Sequence, residues 1–513
     1  MSEAPLLTSY QEASGMNEKA TNELAEYLHR YIDVFRKITD FKAKRNLSLL
    51  LLFWRIASSK DLLIRDLRNA PDEGKANTSV SFSVPSDANF FTVFRNLDDP
   101  DIADQVERAL ILSGDSNDRA FHRVVESLIP SSWTAIGDVE FKNRVVQEAL
   151  VHLASNIFEK LTFNGEANLF GSHIFESAIQ VYAELSHKRS DAFCTSDSLA
   201  SLLANLLSPS SGESVYDPAC GSASLLLKCA QYAYEVEQEA AAVDLYGQEL
   251  NVSNWAIAKL NALLSPFGKN ATLHLGDTIR DPKFINADGS IQKFDIAVSN
   301  IPFSSKDWGE REARRDPFDR FQWGVPPRSS GDYAFISHML SSLNEAGRMA
   351  VVVPNGVLFR GSHEGKIRKS LVQNNLIDAV IGLPAKLLYD TSIPCSVLCL
   401  SKKRASENVL FVNASKDFNA GKLQNSLSLE HILKISQTVK ERKSVERYSR
   451  EVNREEIAHN DFNLNISRYV HVEEEKPRSD INALFRKQRR LTAELHELDG
   501  RLDRIVKRLG VGD

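Results

Sequence analysis

The sequence predicts an α/β fold: a mostly parallel sheet with helices on both faces, preceded by a helical segment and followed by one long terminal helix. Three observations predict it. From about residue 166 to 420, short apolar β-branched runs alternate with helical stretches, and strand–helix–strand repetition builds a parallel sheet covered on both faces. Before residue 165 no such alternation occurs, and Leu24, Leu28, Ile32, Phe35 and Ile38 recur near helical spacing. After Pro477 the apolar residues recur by threes and fours to the end.

The expected strands are Ser214–Tyr216, Val243–Gly247, Thr272–Leu275, Phe294–Ser299, Met349–Val353, Ile377–Ile381 and Ser396–Leu400. Ser224–Glu237 and Val252–Leu264 are expected as helices between the earlier ones. The chain therefore divides into a helical N-terminal domain (1–165), an α/β domain (166–420), a polar connecting segment (421–478) with one helix at Leu429–Lys440, and a terminal helix (479–513) capped by Ser479 or Asp480.

Lys and Arg total 62 against 68 Asp and Glu, a net charge of −6. Such a balance excludes a domain that grips nucleic acid by bulk charge, but not a local basic channel or a basic partner. The longest apolar stretch, Leu47 to Trp54, is far short of the ~20 residues that span a bilayer. The opening residues lack the basic and apolar regions of a secretory signal. Five scattered cysteines form no CxxC pair, so neither a disulfide framework nor a zinc site is expected. The expectation is a cytoplasmic chain with reduced thiols, no membrane contact and no metal.

Ligands of open α/β sheets bind at the carboxyl ends of the strands, and the chemistry-bearing residues fall there. Asp217-Pro218-Ala219-Cys220-Gly221-Ser222-Ala223-Ser224 joins a strand to a helix. Gly221 permits a tight turn and close approach of a ligand, and the helix start offers free N–H groups. Glu249, ending the next strand, is placed to accept hydrogen bonds from the ribose hydroxyls of an adenosine cofactor. Asp277 follows the third strand and is suited to the adenine amino group of that cofactor. The sharpest signal is Asn300-Ile301-Pro302-Phe303, directly after the fourth strand. An exocyclic amine on a base is a poor nucleophile because its lone pair is delocalised into the ring. Two acceptors aimed at its N–H bonds, Asn300 Oδ1 and the Ile301 carbonyl, favour a more tetrahedral nitrogen. Pro302 stiffens the turn, and Phe303 offers a face on which a flipped base can stack.

These motifs, in this order, resemble the methylation (modification) subunits of type I restriction–modification systems, which are N6-adenine DNA methyltransferases of the gamma motif order. The resemblance runs from about residue 165 to the end. Phe193-Cys194-Thr195 is similar to the family's Phe-Tyr-Thr-Pro segment at the methionine end of S-adenosylmethionine (AdoMet). Arg320-Phe321-Gln322-Trp323-Gly324-Val325-Pro326-Pro327, Asp332-Tyr333-Ala334-Phe335-Ile336 and Asn460 to Tyr469 are also typical. The resemblance implies an AdoMet-dependent methyltransferase (Rossmann-like) fold that methylates N6 of adenine. Asn300, Ile301, Pro302 and Phe303 are then catalytic. Thr195, Asp217, Ala219, Gly221, Glu249, Asp277 and Asn300 are cofactor-binding. It implies a separate specificity subunit, double-stranded DNA with a flipped adenine, two copies per complex and, in some systems, a restriction subunit.

The chain departs from the family at Ile301, where the first Pro of Asn-Pro-Pro-Phe is usual, and at Ala223, the second glycine of Gly-Ser-Gly. Cys194 and Ser196 replace the Tyr and Pro of the Phe-Tyr-Thr-Pro segment. A methyl at residue 223 crowds the turn if that residue needs a positive φ. An AdoMet-binding assembly subunit with weak or no catalysis is therefore one alternative, and methylation of a protein glutamine is another. The nearly balanced charges of residues 304–330 fit a solvated loop and phosphate contact equally. Ile481, Leu484, Gln488, Leu491, Leu495, Leu498, Leu502, Ile505 and Leu509 form a heptad seam. A stripe this long calls for a partner helix, with packing on its own domain as the alternative.

Overall fold

The computed structural model describes residues 18–68, 83–117, 119–155, 158, 167–186, 194–237, 243–389, 391–421, 424–470 and 481–509. By contacts the chain separates into one unit up to Val470 and a second from His471.

The first unit holds nine strands: β1 (Ser214–Asp217), β2 (Asp244–Glu249), β3 (Ala271–Leu275), β4 (Phe294–Asn300), β5 (Leu343–Pro354), β6 (Ile377–Gly382), β7 (Cys395–Ser401), β8 (Val409–Asn413) and β9 (Ser449–Val452). They form one sheet in the order β3-β2-β1-β4-β5-β7-β6-β8-β9. The pairs among β1 to β5 are all parallel, as is β6 with β8, while β7 runs antiparallel to both β5 and β6. Val351, Val352, Val353, Val397 and Leu398 are fully buried, which is why the central strands read as continuous apolar runs. Chain order reverses at β1: β2 and β3 lie on one side of it, β4 and β5 on the other. Such a reversal opens a crevice at the carboxyl ends of the two strands that flank it.

Ser224–Glu237 and Val252–Leu264 form as expected, the latter capped by Asn251, whose side chain accepts the N–H groups of Ser253 and Asn254. The N-terminal region is helical among its described residues, with helices Glu18–Asp33, Phe41–Arg68, Ile102–Asp115, Arg119–Thr134 and Val139–Leu153. It shares one core with the sheet: Leu50, Trp54 and Val124 lie in the same buried cluster as Ile257 and Val298. A polar tie joins Asn46 Nδ2 to Ser253 Oγ at 3.1 Å.

Residues 421–470 differ from the expected connecting segment. The helix Leu429–Lys440 forms, with a capping box at Ser428 and His431, but Ser449–Val452 is the edge strand β9, antiparallel to β8. Three of its four residues, Ser449, Arg450 and Glu451, are polar, with only Val452 in the hydrophobic core, so the backbone groups of β8 recruit it.

In the second unit Ile481–Leu509 is one helix. Leu491, Leu495, Leu498, Leu502 and Ile505 are all exposed along it. Ser479 and Asp480, the expected cap, lie outside the described residues, as do the side chains of Ile481, Leu484 and Leu509.

Candidate active site

The crevice at the ends of β1 and β4 collects most of the expected residues. Asp217 ends β1 and is almost fully buried. Its Oδ1 accepts the Ala219 N–H at 2.9 Å and the Ser299 hydroxyl, from β4, at 2.7 Å. Burial pushes its carboxyl up to about 7; the two hydrogen bonds oppose the rise and the charge of Glu249 adds to it. The turn that follows has Gly221 at φ +55° and Ala223 at φ +62°. The residue in the second glycine position therefore does adopt the left-handed conformation, with its methyl buried.

Glu249 ends β2 and is mostly buried. Its two oxygens accept the N–H groups of Gly221 at 2.9 Å and Asn251 at 2.7 Å. Burial raises its pKa, and these backbone donors oppose the rise. Gly247, two residues earlier, admits no side chain: a Cβ there would lie 2.7 Å from Leu273 and 2.8 Å from Cys220 Sγ. Asp277 is half-buried and engaged locally. Its Oδ1 accepts the N–H groups of Ile279 and Arg280, and its Oδ2 pairs with the Arg280 guanidinium at 2.8 Å. Its neighbour Thr278 donates to the Pro218 carbonyl at 2.5 Å, tying this turn to the one after β1.

Asn300 is the last residue of β4 and half-buried. Its side-chain amide has no hydrogen-bond partner among the described residues. Ile301 is buried in the core beneath, Pro302 is exposed, and the Phe303 ring is half-exposed over two clusters of the core. Ser304 then turns left-handed, and its N–H donates to the buried Asp332 carboxylate at 2.6 Å.

Thr195 is buried, and Phe193 lies outside the described residues. The Thr195 carbonyl accepts Gln180 Nε2 at 3.2 Å, and Gln180 Oε1 accepts the Tyr389 hydroxyl at 2.5 Å. Cys194 Sγ lies 3.6 Å from Ser224 Oγ, which joins this segment to the turn after β1. Burial pushes the Cys194 thiol up to about 12, so it is inert as a nucleophile.

Residues 304–330 fold back on the body. Arg320 is buried, paired with Asp316 at 2.7 Å and donating to the carbonyls of Thr278 and Ile279. Arg314 pairs with Glu310 and Arg328 with Asp307. Lys306, Arg311 and Arg315 are exposed and make no ion pair among the described residues. The segment is thus part structural and part free cation, a division that charge counting left open.

Sequence reasoning gave no role to four residues at these turns, Asp332 among them although its segment carried the resemblance. Ser299 holds Asp217. Glu176 accepts Asn261 Nδ2 at 2.7 Å, and that amide also donates to the Ser222 carbonyl of the glycine turn. Asp332 holds Ser304. Phe359, at the end of the turn after β5, is 47% exposed; the strand signal of β5 followed by Asn-Gly-Val-Leu-Phe could have found it.

The N-6 DNA methylase family matches residues 166–478. The methylase subunit of the type I restriction enzyme MjaVII from Methanocaldococcus jannaschii is 29% identical over 91% of this chain and 87% of its own. The HindI methylase subunit from Haemophilus influenzae is also 29% identical, over 66% of this chain and 78% of its own. Among solved structures, a type I restriction–modification methyltransferase subunit from Streptococcus thermophilus superposes with a TM-score of 0.76 at 27% identity, covering 88% of this chain and 100% of that one. With the strand order, the motif order and the geometry at β1 and β4 in agreement, the chain belongs to the N-6 DNA methylase family.

Proposed function

We propose that this chain is the catalytic methylation subunit of a type I restriction–modification complex, transferring a methyl group from AdoMet to N6 of adenine in DNA. The observation that carries the proposal is Asn300: an unpartnered amide at the end of β4, beside a half-exposed aromatic ring and two strand-end carboxylates.

The residues present suit a cationic adenosine cofactor. Asp217 and Glu249 are carboxylates whose burial makes positive charge and hydroxyl donors welcome. Glu249 receives the ribose, Asp277 lies at the adenine end, and Thr195, Ala219 and Gly221 complete the pocket. AdoMet, when bound, supplies a methyl already activated by its sulfonium. Asn300 Oδ1 and the Ile301 carbonyl accept the two N–H bonds of the target amine. Pro302 keeps the turn stiff. The flipped adenine stacks on Phe303, and Phe359, beyond the neighbouring strand, offers a second face. No residue here needs to act as a strong base, because alkylation makes the amine nitrogen acidic before its proton leaves.

Sequence reading is left to a separate specificity subunit, as in the resemblance, with the exposed seam of residues 491–505 facing a helix of that partner. Two methylation subunits per complex fit one on each strand of a duplex target. A restriction subunit is a further partner. Lys306, Arg311 and Arg315, exposed and without an ion pair among the described residues, are the cations that would meet DNA phosphates. Among the described residues no helix is long and apolar enough to cross a membrane, and the cytoplasm is the proposed location. The domain division is a helical segment to 165, the methyltransferase body, and the assembly helix from 479.

The test is co-expression with the neighbouring specificity gene, followed by methylome sequencing of the host. Methylation at one specific adenine-containing site supports the proposal; bound AdoMet without any methylated site overturns the catalytic part. A second reading, an AdoMet-binding assembly subunit with weak catalysis, is favoured by one observation: Ala223 at φ +62° in the turn that cradles the cofactor. Calorimetry with AdoMet beside methyl transfer by the reconstituted complex separates the two.

A further inference from the structure

Two aromatic side chains leave the sheet at the ends of neighbouring strands, Phe303 after β4 and Phe359 after β5. The residue after each is bound to the same carboxylate. The Ser304 N–H donates to Asp332 Oδ1 at 2.6 Å, and Arg360 Nη2 donates to Asp332 Oδ2 at 2.5 Å. Asp332 is fully buried and stands at the first position of the helix Asp332–Ser341.

The rest of the cluster fixes both halves. Ser330 Oγ lies 3.0 Å from Asp332 Oδ2 and 3.1 Å from Glu364 Oε1, its one hydrogen shared between the two carboxylates. Arg360 Nε donates to Glu364 Oε2 at 2.6 Å. Arg368 holds the far side of the Arg360 turn, donating to the carbonyls of Val357 at 3.2 Å and Arg360 at 2.9 Å. Asp332 and Glu364 are buried while Arg360 is partly exposed, and charge-assisted hydrogen bonds to buried carboxylates are short and directional. Ser304 is also left-handed at φ +49°, a conformation that a non-glycine residue keeps only when its surroundings enforce it.

We infer that the Asp332–Arg360 pair is a clasp that sets the separation of the Phe303 and Phe359 rings, so that one flipped base fits between them. Asp332 is a positioning residue; it touches neither base nor cofactor. The inference rests on the reading of the two rings as the faces of the base site. It goes beyond that reading by naming what holds them apart at a fixed spacing. A planar base sandwiched between rings tolerates little change in that spacing, because dispersion falls away within an ångström.

The test uses the full complex with its specificity subunit and a duplex carrying 2-aminopurine at the target adenine. Asp332→Asn keeps the shape and an acceptor for Ser304, but turns an NH2 group toward Arg360 and opens the clasp on that side only. We expect it to raise the KM for DNA by about tenfold, the scale of losing one stacking face, and to lose the fluorescence rise of base capture. AdoMet affinity should stay within about twofold, since the cofactor residues are untouched. Phe303→Ala and Phe359→Ala should each show the same loss with the clasp intact. Adding Asp332→Asn to Phe359→Ala should cost little more, because there is then no second ring to position.

A lower melting temperature with normal base capture would mean that Asp332 only stabilises the fold, and would overturn the inference. Full additivity in the double variant would do the same. Normal capture by both Phe→Ala variants overturns the base-site reading itself, which is a different outcome from failure of Asp332→Asn alone. If Asp332→Asn does not fold, Arg360→Lys serves: a single ammonium cannot span Asp332 and Glu364 together, and the same loss in weaker form is expected.

Discussion

Glu249 Oε2 accepts the backbone N–H of Gly221 at 2.9 Å, across 28 residues of sequence. The acid at the end of β2 and the glycine turn after β1 are therefore one hydrogen-bonded piece. Glu249→Ala removes the proposed ribose acceptor and also strands two backbone donors, each worth ~1–3 kcal/mol when buried without a partner. The AdoMet dissociation constant should rise by roughly 10–100-fold, with a smaller fall in kcat, because contacts to the ribose hold substrate and transition state alike. Calorimetry with the purified chain checks this; unchanged affinity would reduce Glu249 to a support for the turn.

Ala223 sits at φ +62°, a conformation that costs a residue with a Cβ ~1–2 kcal/mol. Ala223→Gly should therefore raise the urea midpoint by the equivalent of ~1 kcal/mol, discounted slightly for the greater entropy of glycine in the unfolded chain. AdoMet affinity should be equal or better. A lowered midpoint would show that the buried methyl contributes more packing than its backbone costs.

Burial holds the Asp217 carboxyl at about 7, above its ordinary 3.8. The folded chain without cofactor thus keeps a proton that the unfolded chain releases. Stability from this group is fully present below about pH 4 and is lost as pH rises toward about 7. A bound cation beside Asp217 favours the carboxylate, so AdoMet binding near pH 6 should release a proton. Titration calorimetry in two buffers of different ionisation enthalpy measures it, and affinity should climb between about pH 5 and 7. A pH-independent affinity with no proton release would refute the linkage.

Asn300→Ala removes one of the two proposed amine acceptors. Loss of a single preorganised polar group at a reacting centre costs ~10²–10³ in turnover, and AdoMet binding should hardly change. Single-turnover methyl transfer by the complex decides it; near-normal rates would sink the role.

Leu495 is 60% exposed on the terminal helix, so Leu495→Glu should leave folding and AdoMet binding alone. It should abolish co-purification with the specificity subunit, since each seam leucine contributes ~1.5–3 kcal/mol on burial against a partner. Full stoichiometry in the variant complex would place the partner surface elsewhere.

Strands β1 to β7 and the helices between β1 and β3 were legible because buried parallel strands are apolar and β-branched, and because Asn251 and Gly221 punctuate them. β9 was not, because three of its four residues are polar and the segment is strand only through the backbone of β8. The Asn-Ile-Pro-Phe turn and the strand-end acids were legible as residue types at strand ends, a matter of one-dimensional order. Their partners were not: Ser299 for Asp217, Gly221 for Glu249, and Asp332 for Ser304 are separated by 82, 28 and 28 residues.

The sequence by itself determined the α/β architecture and the positions of Asp217, Glu249, Asp277 and Asn300, since hydrophobic period and turn residues are local properties. Tertiary structure alone decided which charges were already engaged. Asp277 is engaged with Arg280, and Arg320 is buried against Asp316, while Lys306, Arg311 and Arg315 remain exposed. It alone showed that Ala223 is left-handed and that one carboxylate, Asp332, ties two aromatic turns together. The reason is physical: hydrogen bonds and ion pairs act over about 3 Å in space, and the chain brings those atoms together only once the sheet has closed.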